Sequence, residues 1–215
     1  MGEKIRQRTL PGVYRAEVTD NVDPLGSGRV EVRLVRPQGD PGREVRMWAP
    51  WCSPYADDGQ GLQVLPEVGS DVVIAFEAGD LAHPIVLGAV WGSGDALPEP
   101  PHPANDVRVL QTRSGSRLEF DDAASAPAVR LTTAAGHSVV LEDDQVTISH
   151  GSGSTIRLTA ATIEISASGP VKVQAPMVDV SAPLARFDGT VTCTTLIASA
   201  SVVSPAYTPG VGNIM

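Results

Sequence analysis

Apolar residues recur at every second position through the first part of the chain. Tyr14, Ala16 and Val18 alternate with Arg15, Glu17 and Thr19, and Val30, Val32 and Leu34 alternate with Arg29, Glu31 and Arg33. A period of two places successive side chains on opposite faces of an extended backbone, so each run predicts a strand with one buried face. Further runs of this kind are Val45 to Ala49, Asp71 to Phe76 and Pro84 to Val90, separated by turn-forming clusters such as Ala56-Asp57-Asp58-Gly59-Gln60-Gly61. Five strands within about 80 residues suit a small closed or partly open barrel. No stretch keeps a 3.6-residue period long enough for a sizeable helix.

The second half follows a different rhythm. Apolar pairs two residues apart recur as Val129/Leu131, Val139/Leu141, Val146/Ile148, Ile156/Leu158, Ile163/Ile165, Val171/Val173 and Val178/Val180. Their spacings are 10, 7, 10, 7, 8 and 7 residues, so every second step is nearly constant at 17, 17, 17, 15 and 15. Such regularity marks a repeat of one short strand plus one corner. Gly, Asp and Ser occupy the corners at Ala135-Gly136, Glu142-Asp143-Asp144, Gly151-Ser152-Gly153 and Ser168-Gly169-Pro170. A strand with two inward apolar residues cannot bury them against itself, and the unit is too short for a wide single-chain solenoid. The spacing therefore predicts three identical chains around one axis, each strand edge taking its neighbour from another chain, with the fourteen paired residues as the trimer core.

Composition sharpens this division. Aromatic residues are only 4% of the chain, with 21 glycines and 18 prolines, which argues against a helical bundle and for an all-β chain. All three tryptophans and twelve prolines precede residue 108, whereas residues 121 to 206 hold a single aromatic, Phe187. Leu97-Pro98-Glu99-Pro100-Pro101-His102-Pro103 lies between as a semi-rigid spacer. The formal charge of −9, with only Lys4 and Lys172 as lysines, argues against nucleic acid as a partner. Cys52 and Cys193 stand 141 residues apart without metal-ligand spacing, so two buried or half-buried free thiols are expected, with no metal and no cofactor. No hydrophobic segment follows Met1, so no secretion signal is expected, and the apolar run Ile85 to Trp91 is far shorter than the ~20 residues that cross a bilayer.

The residues Leu65-Pro66-Glu67-Val68-Gly69-Ser70-Asp71-Val72-Val73-Ile74-Ala75-Phe76-Glu77-Ala78-Gly79-Asp80 and Pro84-Ile85-Val86-Leu87-Gly88 resemble the barrel domain of contractile-tail spikes, the phage baseplate assembly protein V and VgrG family. Gly28-Arg29-Val30-Glu31-Val32 and Met47-Trp48-Ala49-Pro50-Trp51 resemble that family's earlier strands. The resemblance covers residues 12 to 91 closely, and the order of barrel, linker and Ser/Thr-rich β-region matches the rest. It implies an all-β homotrimeric needle: an N-terminal extension (1–11), an oligosaccharide/oligonucleotide-binding (OB) type barrel of five strands (12–95), a Pro-rich linker (96–107), an intertwined triple-stranded β-helix (108–204) and a blunt apolar tip (205–215).

By the same resemblance the function is that of a non-enzymatic central spike, in a phage tail baseplate or a related extracellular particle, that pierces a cell envelope when a sheath contracts. Only 11 residues precede the barrel, so the hub domain fused to VgrG proteins is expected to be absent and a separate hub protein to sit above. No room is left between residues 92 and 107 for an inserted lysozyme domain, and the iron-binding His-x-His tip of some relatives is missing, since the last histidine is His150. The uncharged end, with Val211, Ile214 and Met215, implies docking of a separate PAAR-type tip protein. The expected location is a particle assembled in the bacterial cytoplasm that touches a membrane only in passing.

Candidate catalytic groups have plainer explanations. Asp57-Asp58, Asp121-Asp122 and Glu142-Asp143-Asp144 are adjacent residues whose side chains diverge on an extended chain, so they read as solvated turns. Asp80 and His83 lack a Gly-x-Ser-x-Gly partner motif, and His83 reads as a turn cap. Gly26-Ser27-Gly28 and Gly92-Ser93-Gly94 lack the lysine and helix of a phosphate loop and read as hairpin turns. Trp48, Trp51 and Trp91 read as core or hub contacts rather than a stacking platform. A carbohydrate-binding or carbohydrate-cleaving β-solenoid with an appended barrel is the alternative; it requires a cleft lined with aromatics and carboxylates. An adhesin or tail-fibre trimer is a third, and it requires aromatic-rich loops near the tip.

Overall fold

A computed structural model describes residues 10–34 and 44–203. The chain divides into two compact units, Met1–Ser168 and Gly169–Met215.

The first unit begins with β1 (Val13–Asp20), β2 (Arg29–Leu34) and β3 (Arg46–Pro50), followed by a small hairpin, β4 (Ala56–Asp57) and β5 (Gln60–Gly61). β6 (Asp71–Phe76) and β7 (Pro84–Ala89) complete an antiparallel sheet of order β3-β2-β1-β6-β7. Its two edges meet: Trp51 bridges to Val86 in parallel, and the Cys52 amide donates to the Val86 carbonyl at 2.9 Å, closing the sheet into a barrel. Register breaks between Val18 and Asp20 and between Val73 and Ile74 bend the strands as closure requires. The alternation read from the sequence points inward as expected. Ala16, Val18, Val30, Val32, Ala49, Val72, Ile74 and Val86 are fully buried, and Phe76 nearly so. At about 1.5–3 kcal/mol per buried large apolar side chain, this compact cluster is the barrel's main source of stability. Tyr14 is half-buried: its ring meets Phe76 edge-on at 5.7 Å and its hydroxyl donates to the Pro11 carbonyl.

Seven further strands form a second sheet in the same unit: β8 (Val107–Gln111), β9 (Arg117–Asp121), β10 (Ala128–Thr132), β11 (Ser138–Glu142), β12 (Gln145–Ser149), β13 (Thr155–Thr159) and β14 (Ile163–Ser166). Every neighbouring pair is antiparallel and sequential. This corrects the expectation that each strand borrows its neighbours from other chains. The corners are tight enough to fold the chain back on itself, so β9 to β13 are paired on both sides within the chain and the edge strands β8 and β14 on one side. One edge of the sheet carries matching glycine turns. The amides of Gly115, Gly136 and Gly153 donate to the carbonyls of Thr112, Thr133 and His150, with φ of +88°, +80° and +98°. Those angles lie in the left-handed region, which a side chain disfavours.

The second unit has a different character. Among the described residues, nothing after Ser166 belongs to a strand, and Gly169–Val203 makes no backbone hydrogen bond of its own. Bends fall near residues 176, 183, 188–189, 194 and 199–200, with extended chain between them. Cys193 lies in this stretch and is exposed, as is Cys52, whose neighbour Trp51 packs on the barrel core while the thiol points outward. Both cysteines therefore depart from the buried or half-buried state expected of them. Among the described residues no helix is long and apolar enough to cross a membrane.

Candidate functional site

The register of the second sheet collects the predicted apolar pairs on one face. Val129 lies opposite Leu141 and Leu131 opposite Val139; Val139 in turn faces Ile148, and Leu141 faces Val146. Val146 then faces Leu158, Ile148 faces Ile156, and Ile156 and Leu158 face Ile165 and Ile163. Ten of the fourteen candidate core residues thus form one continuous stripe across β10 to β14. It extends through Leu118 and Phe120 of β9, which face Leu131 and Val129, to Leu110 of β8. Those three were absent from the predicted set, although Leu118 and Phe120 show the same two-residue spacing.

The stripe is substantially uncovered. Leu131 is 50% exposed, Leu141 45%, Ile148 42% and Phe120 46%, rising to 73% at Ile163. Soluble monomers seldom leave a contiguous apolar surface of this length open. Val171, Val173, Val178 and Val180 lie beyond the sheet, all at least 60% exposed. Val211, Ile214 and Met215 lie outside the described residues, as do most of the N-terminal extension and the whole of the terminal tip.

The opposite face carries an ion-pair ladder not anticipated from the sequence. Arg117 binds Glu99 and Glu119, each at 2.7 Å, and Arg130 binds Glu119 at 2.9 Å and Asp121 at 2.8 Å. Register explains it, since Arg130 stands directly opposite Glu119. The Arg130 guanidinium, reinforced by the Ala123 amide, holds the Asp121 carboxyl below the usual carboxylate range, and the carboxylates raise both arginines. Asp121 is therefore a structural ion-pair member rather than a solvated turn residue. Arg117 also donates to the Pro98 carbonyl at 2.8 Å, fastening the proline-rich linker to the sheet. Arg113 reaches Glu67 of the barrel at 3.0 Å.

The other candidates behave as turns. Asp57 and Asp58 sit at the β4–β5 hairpin, a hairpin that the sequence pattern did not single out, and Asp143-Asp144 forms the two-residue connection between β11 and β12. Asp80 accepts from the Ala82 amide and its carboxylate lies 3.3 Å from His83 Nδ1 within the β6–β7 turn. The Ala82 amide and, secondarily, His83 lower the Asp80 pKa. Asp23 closes the β1–β2 loop: it accepts the Leu25 and Ser27 amides at 3.0 and 2.8 Å and pairs with Arg29 at 2.7 Å. The Arg29 guanidinium holds the Asp23 carboxyl far below the usual range. Arg29 also lies 5.7 Å from the centre of the Trp48 ring, while Trp51 packs on the barrel core and Trp91 is exposed. A cleft of about 570 Å³ beside the β4–β5 hairpin contains Trp51 and Tyr55 but a single carboxylate, Asp57. A larger cleft, of about 1370 Å³, is lined by Trp91 and by the carboxylates of Glu67, Asp71 and Asp95.

Residues 14–91 match the family described as the type VI secretion system/phage-baseplate injector OB domain, and residues 107–169 match the phage baseplate V C-terminal trimerisation domain. The chain is also similar to the actin cross-linking toxin VgrG1 of Vibrio cholerae serotype O1 (Classical Ogawa), with 26% identity over 136 residues, 60% of this chain and 12% of that protein. The type VI secretion system spike protein VgrG3 of Vibrio cholerae serotype O1 (El Tor Inaba) is 24% identical over 106 residues, 47% of this chain and 10% of that protein. The chain thus spans about a tenth of the length of these curated relatives.

Proposed function

The chain belongs to the phage-baseplate V and VgrG spike family, and from that premise we propose that it is the central spike of a contractile injection particle, acting as a homotrimer without catalysis. The observation that carries this reading is the half-exposed apolar stripe along β9 to β14. Three copies of the sheet around one axis bury it, with the ion-pair ladder and hydroxyl side chains outward. Gly169–Val203 then gains from other chains the ladder partners it lacks in its own, winding into an intertwined triple-stranded β-helix. An extended segment of this length, with its apolar side chains in water, recovers little of the entropy lost on ordering unless partners cover it.

The mechanism is mechanical. Inter-chain hydrogen bonding makes the shaft stiff, and its small hydroxyl side chains and acidic character favour passage over adhesion. In this reading a separate hub protein holds the barrel, a PAAR-type protein caps the C-terminal end at Val211, Ile214 and Met215, and the membrane is met only during penetration. The particle is a virion or an extracellular injection machine, assembled in the bacterial cytoplasm. Quantitative mass spectrometry of particles purified from the producing strain tests it. Three copies of the chain per particle, together with sheath and tube proteins, are expected; absence of the chain from intact particles overturns the proposal.

A further inference from the structure

The β4–β5 hairpin stands outside both large sheets, and its strand residues are all exposed. Hydrogen bonds rather than burial hold it. The Ser53 hydroxyl donates to the Leu62 carbonyl at 2.7 Å and accepts the Tyr55 amide at 3.3 Å, and the Leu62 amide donates to the Tyr55 carbonyl at 2.9 Å. Gly61 admits this closure, since a Cβ there would lie 2.6 Å from the Tyr55 carbonyl oxygen. The brace fixes an aromatic residue that contributes nothing to the core: Tyr55 is 54% exposed. It lines the 570 Å³ cleft together with Trp51, which also packs on the barrel core. The polar groups around the two rings are largely unspent. The Tyr55 hydroxyl donates to Gln60 Oε1 at 2.7 Å, which leaves the Gln60 Nε2 hydrogens as donors. Asp57 Oδ1 accepts the Asp58 amide at 2.8 Å, while Asp57 Oδ2 and the side chain of Gln63 have no partner among the described residues.

We propose that this cleft is a saccharide-binding site of the barrel, taking a short stretch of an uncharged pyranose chain with one ring stacked on Tyr55. A pyranose is amphipathic in the way the cleft is. Its C–H face suits an aromatic ring, and its edge hydroxyls both donate and accept, as the Gln60 and Gln63 amides and the Asp57 carboxylate require. The volume falls in the range of about 300–1,000 Å³ typical of ligand clefts. Charge narrows the ligand class. No basic residue lines the cleft and the chain carries a formal charge of −9, so phosphorylated or sulfated polymers are disfavoured. A basic peptide would find only Asp57 to answer it, and an apolar ligand would leave the two glutamine amides without partners. The site belongs to the barrel and is independent of the trimer reading above. It gives the barrel a binding activity beside the mechanical role of the shaft.

The test is isothermal titration of the full-length protein with chitotetraose, cellotetraose and maltotetraose, three uncharged pyranose chains that differ in linkage and substituents. At least one is expected to bind. Tyr55→Ala is expected to weaken that binding about tenfold or more through loss of the stacking face, and Gln63→Ala to weaken it by a smaller factor. Trp91→Ala, in the other cleft, is expected to bind as the parent does. Tyr55 and Gln63 are exposed, so the melting temperature and solution mass of both variants should match the parent's. Absence of binding by all three sugars overturns the proposal, and so does a sugar that binds the parent, Tyr55→Ala and Gln63→Ala equally. The mass recorded on the same samples reports on the trimer reading separately, which keeps the two failures apart.

Discussion

Ile148 of β12 stands directly across the ladder from Ile156 of β13, and the two remain 42% and 38% exposed. Neither the linker nor the barrel covers them. In the proposed trimer, further copies of the same sheet cover these aligned, outward-facing side chains.

Placing a charge in that stripe should therefore act on association before it acts on the fold of one chain. Ile148→Asp is expected to abolish the trimer, because each copy would bring an unpaired carboxylate into the shared core. Ile148→Val should retain it at a cost of about 0.5–1.5 kcal/mol per chain. Analytical ultracentrifugation separates the two variants.

The ladder on the outer face predicts the opposite pattern. Arg130→Ala leaves Glu119 and Asp121 without their shared partner, so unfolding is expected a few degrees lower while the three-chain mass persists. Calorimetry and mass measurement on the same sample check this.

Acid should loosen the barrel at the β1–β2 loop. Because the folded carboxyl of Asp23 titrates far below its unfolded value, its contribution is complete above about pH 4 and is lost progressively as pH falls toward the folded value. Asp23→Asn should thus be less stable than the parent at pH 6, with the gap narrowing below about pH 4. Denaturation across that range tests the sign, and a gap that widens in acid contradicts it.

Gly151 should tolerate substitution poorly. A Cβ there would meet the Ala135 carbonyl oxygen at 2.5 Å, where two glycine turns stack. Gly151→Ala is expected to cost about 1–3 kcal/mol, while Gly94→Ala, which has open space around it, should be nearly neutral. Thermal unfolding of both variants provides the comparison.

Much of this was legible in the sequence for physical reasons. The period-two runs gave the barrel strands because one face of each is buried, and the spacing of apolar pairs carried more than a strand count. The 10-residue steps contain a glycine turn such as Thr133–His137, and the 7-residue steps within the sheet contain a shorter corner, Asp143-Asp144 or Ala160-Ala161-Thr162. The alternation is the signature of hairpins closing at opposite edges, and it ceases after Ile163, just before pairing within the chain ends at Ser166. The ion-pair ladder was hidden, because joining Arg130 to Glu119 depends on strand register rather than sequence distance. Asp23 was hidden too, since a loop carboxylate gathering two amides and a guanidinium has no periodic trace.

The most direct measurement is the mass of the full-length chain by sedimentation equilibrium near neutral pH over a wide range of dilution. The account predicts a stable species of three times 22.4 kDa, with the amides of residues 170–203 protected from hydrogen exchange. A persistent mass of 22.4 kDa, with cooperative unfolding and the apolar stripe open to solvent, would contradict it.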